Sequence, residues 1–376
     1  MGEKIIRTVT AAVMAVTVLA LSVVFSLSKK QEFSENENRY LGSLPHLKWE
    51  TIKNGEYMGD INSYLCDHFP FRDFFIGLKS QVEICLGKRE INQVYIGKEG
   101  YLIEVYQKPV NTERITQVFR DFAEKEKIKP LEMNLMLVPT AIYVYGDKLP
   151  KLASPRNQME TAQEIYDACG IPAIDCSQKL LEYKDKGQLY YKLDHHWTTF
   201  GAYIGYLSFC EAKGITPVPL EEMESQVVTD EFCGTVYSKV NDYTKKGDSI
   251  TIYRNPKDKL QVYYQDTNTL THDLYNLEYT GQKDKYSLFL DNLHSIIEIT
   301  NETADSGREL MLIKDSYANS IVPFLVRHYK KVYVFDTRYY KYGPSSFIDE
   351  HTGITDVLIL YNMNTLDMDL GVGGIY

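Results

Sequence analysis

Two short stretches carry the residue types that acyl chemistry needs: Asp194-His195-His196-Trp197 and Lys314-Asp315-Ser316-Tyr317. In an extended or tightly turned backbone, residues i and i+2 project to the same side. Asp194 can therefore reach the ring of His196, while His195 is expected to point away. A carboxylate on one imidazole nitrogen fixes the tautomer, so the other nitrogen can take a proton from a hydroxyl. Ser316 is the natural donor of that proton. It follows the apolar run Leu310-Met311-Leu312-Ile313, where a buried strand would turn into a helix, a usual position for a nucleophile in an α/β hydrolytic site. A helix behind it would aim free N–H groups and the positive end of its dipole at a developing oxyanion.

Plainer readings of the same residues exist. Ser316 or Asp315 can cap a helix, and Asp194 with His196 can form half of a metal site or a buried hydrogen-bonded cluster. No third ligand stands at a recognisable spacing, and the six cysteines form neither a C-x-x-C pair nor a Cys/His cluster, so neither metal nor organic cofactor is expected. Asn362 and Asn364 stand just past a third apolar run, and Arg338 past a second. Alone, they read as turn and surface residues.

These residues need elements to hold them. From residue 115 onward, helical and apolar strand-like segments alternate: helices at 115–127, 154–169, 201–212 and 321–326, strands at 135–138, 310–313, 332–335 and 357–360, and short strand candidates at 171–174 and 189–191. Short, wholly apolar strands between helices predict a parallel sheet covered on both faces. Residues 217–303 break the rhythm with alternating β-rich runs and many turn residues, which reads as an insertion. Upstream, helical periodicity fits 51–65 and 74–86, and a Gly-bearing turn within 94–103 signals a hairpin.

Residues 8–27 carry no charge, and about twenty apolar-leaning positions match a hydrocarbon core of about 30 Å. The run is longer than a usual signal-peptide core and lacks an Ala-x-Ala-like cleavage site. An uncleaved single-pass anchor is expected, although the flanking charges leave its orientation open. The domains are expected at 1–28 (cytoplasmic end and anchor), 29–105 (linker, helices and hairpin) and 106–376, with the insertion at about 217–303. A net charge of −10, with no basic block among aromatics, argues against nucleic acid. The thirty tyrosines suit either sugar rings or half-buried strands.

Taken together, the motifs resemble a known family. Asp194-His195-His196-Trp197 is the stretch that names the DHHW proteins, which are similar to the AlgJ/AlgX group of alginate O-acetylation proteins. Glu37-Asn38-Arg39, the Asp67-to-Arg72 segment, the hairpin and Lys314-Asp315-Ser316-Tyr317 join the likeness. The resemblance implies an SGNH-hydrolase-like, flavodoxin-like α/β domain in circularly permuted motif order, anchored in the cell membrane and facing outward. It implies Ser316 as nucleophile, His196 as base and Asp194 as orienting acid, with Asn364 and then Asn362 as oxyanion donors. Arg338 and Tyr317 become substrate contacts. The implied activity is acetyl transfer onto a surface or exported polysaccharide, fed by a membrane-embedded acyl-donor partner. The alternatives are an esterase of the same fold and a non-catalytic glycan-binding or assembly protein.

Overall fold

The protein is described by a computed structural model covering residues 2–375 apart from 35, 38, 108, 128, 341 and 369. Asn38 of the Glu37-Asn38-Arg39 motif lies outside the described residues. The chain divides into two compact units, residues 1–88 with 238–244, and 89–237 with 245–376.

The first unit begins with the helix Gly2–Leu27, 26 residues long with a mean hydropathy of 2.3 over its most apolar window. At about 1.5 Å per residue it is long and apolar enough to cross a bilayer. The helix expected at 51–65 is two helices, Trp49–Lys53 and Glu56–Asp67. Gly55 separates them at φ 84°, a left-handed conformation that glycine adopts without steric cost. A further helix spans Arg72–Cys85. Two motif segments meet here: Asp67 accepts from Arg39 Nη1 at 3.0 Å and from the Gly42 N–H at 2.8 Å, while Glu37 takes Arg39 Nε at 2.7 Å and Arg72 Nη2 at 3.1 Å. The Arg39 hydrogen bond holds the Asp67 carboxyl down to about 2.

The second unit is built on a seven-stranded sheet. Its strands are β1 (Glu132–Val138), β2 (Leu260–Tyr264), β3 (Thr269–Thr271), β4 (Ile296–Asn301), β5 (Glu309–Lys314), β6 (Lys331–Phe335) and β7 (Asp356–Asn362). Their spatial order is β3-β2-β4-β6-β5-β7-β1. The four strands β6, β5, β7 and β1 run parallel, with Ile313 beside Phe335, Lys314 beside Leu360 and Asn362 beside Val138. The apolar residues Leu310 to Ile313 are fully buried, as expected for a central strand covered on both faces.

The sheet is mixed rather than parallel, because β4, β2 and β3 add antiparallel neighbours beyond β6. Those strands come from 217–303, so much of the expected insertion extends the central sheet. Within 217–303, the pair Glu224–Phe232 and Asp248–Arg254 forms a separate two-stranded sheet. The candidates at 171–174 and 189–191 reduce to single bridges, Leu135 with Ala173 and Tyr190 with Trp197. The expected hairpin is a three-stranded sheet within this unit.

Candidate active site

The carboxyl ends of the parallel strands deliver most of the candidate residues to one edge. β5 runs directly into Asp315 and Ser316, β7 ends at Asn362, and Asp336 follows β6. Asp194 and His196 arrive on a loop that ends where Thr198 caps the helix Thr199–Lys213, its hydroxyl accepting the Gly201 N–H at 3.1 Å. Trp197, fully buried, ties that loop to the serine turn. Its indole N–H donates to the Tyr317 carbonyl at 2.8 Å, and the Tyr317 hydroxyl donates back to the His195 carbonyl.

The result is a continuous hydrogen-bonded chain. Ser316 Oγ lies 2.8 Å from His196 Nε2, and His196 Nδ1 lies 2.6 Å from Asp194 Oδ1. A carboxylate only accepts, so Nδ1 carries the proton and Nε2 is left to receive the serine's. Asp194 Oδ1 also accepts the His196 backbone N–H at 3.0 Å, closing a tight turn over two residues. Its other oxygen accepts from the Thr235 N–H at 2.8 Å and the Thr235 hydroxyl at 3.1 Å. Ser316 is half-buried while Asp194 and His196 are buried.

His195 does not leave the site as expected. Its ring centroid lies 3.8 Å from that of His196, and its Nδ1 is 2.7 Å from the Thr235 hydroxyl oxygen. Burial disfavours a charged His195, but Asp194 attracts the charge and lifts the ring to about 9. Burial pushes His196 the other way, and the charge on His195 adds to it, bringing His196 down to about 4 against the pull of Asp194. Asp194 is held well below the usual carboxylate range: burial opposes its charge, and the two histidines outweigh burial. At neutral pH His196 is therefore a neutral base beside a cationic neighbour.

The helix expected behind Ser316 is a single 3-10 turn, Ser316–Ser320, followed by the short helix Val322–Leu325. The Tyr317 N–H is turned onto Asp315 Oδ1 at 2.9 Å, so a long dipole and a free N–H at that residue are both lost. Asn362 is corrected as well. It is fully buried, its amide N–H groups lie on Asp315 Oδ2 at 2.7 Å and Thr365 Oγ1 at 2.6 Å, and its oxygen caps the following turn. Tyr317 is also fully buried and cannot touch substrate. Arg338 lies on Asp336, Nε to Oδ1 at 2.8 Å, and Lys314 Nζ approaches the same carboxylate at 3.1 Å.

Asn364 is placed differently. Its oxygen accepts from Gln158 Nε2 at 2.7 Å and Thr140 Oγ1 at 3.2 Å, so the NH2 end is turned away from them, with Glu104 Oε2 3.5 Å distant. Thr235, Tyr286, Gln158 and Glu104 carried no local motif that would have singled them out. Tyr286 lies flat against His196 and donates its hydroxyl to the Ser316 carbonyl at 3.1 Å. Asp194, His195 and His196 offer metal-ligand atoms within 4.8 Å of one another, but an ion there would compete with the bonds to Thr235 and Ser316.

Fold and site define a mixed α/β domain with a Ser-His-Asp hydrogen-bond chain at the carboxyl edge of its parallel strands. The chain belongs to the DHHW protein family, whose pattern matches residues 92–335. It is 26% identical over 192 residues to the "Probable alginate O-acetylase AlgJ" of Pseudomonas syringae pv. tomato, a match covering 48% of each chain. The chain thus spans about half the length of that curated relative. Among solved structures, it is similar to a DHHW family protein from Eubacterium siraeum (TM-score 0.66, 23% identity, covering 76% of this chain and 96% of that one). It is also similar to Bacillus cereus PatB1 with a sulfonyl adduct (TM-score 0.62, 19% identity, covering 73% and 96%).

Proposed function

We propose that this protein transfers an acyl group, most simply acetyl, to a hydroxyl of a cell-surface or exported polysaccharide, from a domain held outside the membrane by its N-terminal helix. The observation that carries the reading is the chain from Ser316 Oγ through His196 to Asp194, at 2.8 Å and 2.6 Å. His196 Nε2 takes the serine proton as Oγ bonds to the carbonyl carbon of an ester or thioester donor. The donor's leaving group departs with that proton. A sugar hydroxyl then attacks the acyl-serine, giving its proton to His196, which returns one to Ser316 Oγ as the new ester leaves. Asn364, whose amide oxygen is held by Gln158 and Thr140, is the residue we assign to steady the oxyanion through its NH2 group. A permuted SGNH-like order, with the Asp/His block ahead of the serine, belongs to the same reading, as does a membrane-embedded acyl-donor partner. The alginate O-acetylase name of the Pseudomonas relative supports the substrate class.

The test is turnover of a chromogenic acetyl ester by purified protein, with and without oligosaccharide acceptors. Acetylated acceptor is the expected product. Hydrolysis indifferent to every acceptor would replace transfer by deacetylation, and no turnover with no labelling of Ser316 by a serine-reactive sulfonyl fluoride would leave a glycan-binding role.

A further inference from the structure

The helix Arg72–Cys85 is packed the wrong way round for a soluble domain. Its buried residues are Gly77 and Ser80, and Ser80 Oγ donates to the Val240 carbonyl at 2.6 Å. On the outside, Phe71, Phe74, Phe75, Leu78, Val82 and Leu86 are all exposed. At about 100° per residue, Phe71, Phe75, Leu78 and Val82 fall on one narrow stripe. Phe71 is 66% exposed and sits at φ 59°, a strained position for a bulky residue. An apolar face this continuous marks an interaction surface.

We infer that this stripe lies in the lipid interface, seating the juxtamembrane unit flat on the bilayer from which the N-terminal helix emerges. The inference rests on the membrane-anchor reading. The stripe joins the anchor in space: Lys29 and Lys30, just past the end of Gly2–Leu27, share the lining of one cavity of about 240 Å³ with Phe71 and Phe74. Phe25 of the apolar helix also packs edge-on against Tyr64, ring centroids 6.1 Å apart. The start of the stripe is thereby held at the level where the anchor leaves the hydrocarbon. Aromatic and branched side chains at that depth leave water for the acyl boundary, which favours a helix lying in the membrane plane.

The test uses the full chain in phosphatidylcholine vesicles. In a Trp49→Phe background, which removes an exposed indole, single tryptophans are introduced by Phe75→Trp and Leu78→Trp on the stripe and by Glu83→Trp off it. Lipids brominated near the headgroup end of the acyl chain should quench the stripe tryptophans at least twofold more than the one at 83. Equal quenching at all three positions overturns the proposal. So does stripe quenching that grows only as protein is diluted in lipid, because a second copy would then be the occupant. Weak quenching in pure vesicles overturns it in favour of a protein partner. Extraction of the chain by alkaline carbonate would reject the spanning anchor; stripe quenching in vesicles before extraction would still uphold the seating.

Discussion

The ring of Tyr286 lies flat against that of His196, centroids 3.6 Å apart and planes within 8°. Nothing in the sequence around Tyr286 announces this contact, yet it covers one face of the His196 imidazole and reaches the Ser316 carbonyl. Tyr286→Phe should keep the stack and lose about 0.5–1.5 kcal/mol of stability with the hydroxyl's bonds. Tyr286→Ala should cost about 3 kcal/mol or more and lower kcat by freeing the imidazole. Thermal melts beside ester turnover separate the two. Equal kcat for wild type and Tyr286→Ala would mean that the stack has no part in holding His196.

Ser316→Ala and His196→Ala should each remove nearly all acyl transfer, and the double variant should be little worse, because nucleophile and base act as one unit. Asp194→Asn should be milder but still severe. Asn364→Ala should lower kcat by roughly 10²-fold if its amide faces the oxyanion. Single-turnover kinetics on variants with matched circular dichroism checks all five. A fully active Asn364→Ala would move the oxyanion site elsewhere.

The pH dependence follows from the two histidines. His196, lowered to about 4, is neutral over most of the acid range, so activity should fall only well below its ordinary value near 6.5. For folding, the unfolded chain binds more protons between those limits, so this group's contribution is complete above about 6.5 and is lost as pH falls towards 4. His195, raised to about 9, has the opposite sign: its contribution is complete below about 6.5 and is lost as pH rises through 9. Because the charge on His195 helps depress His196, His195→Gln should move the acid limb of kcat/KM upward. A limb that stays put would show that burial alone sets it.

Gly234 abuts Asp194 so closely that a Cβ would meet Oδ2 at 2.0 Å. Gly234→Ala should therefore displace a buried carboxylate, costing about 1–3 kcal/mol and most of the activity. Retention of both Tm and turnover would mean that the loop yields freely.

The full chain should remain with membranes after alkaline carbonate, given the uncharged stretch 8–27 of the helix Gly2–Leu27. Recovery of a freely secreted form beginning near residue 28 would identify that segment as a cleaved signal.

The meeting of Asp194, His196 and Ser316 was legible because its signals are local. Asp194 and His196 are two residues apart, and Ser316 follows an all-apolar strand, so spacing and periodicity suffice to select them. The parallel strands β1, β5, β6 and β7 were legible for the same reason, since strands buried on both faces must be apolar throughout. Partners from distant segments were not. Thr235, which completes Asp194, and Gln158, which orients Asn364, reach the site only when the chain has folded, and a threonine or glutamine in isolation carries no sign of its partner. The antiparallel strands β2 to β4 alternate polar and apolar residues as a separate β-rich module would. Only the pairing of β4 onto β6, with β2 and β3 following beyond it, makes them part of the central sheet. Tertiary structure likewise decided against Asn362 and Tyr317, because burial and hydrogen-bond satisfaction are properties of the packed chain and not of residue type.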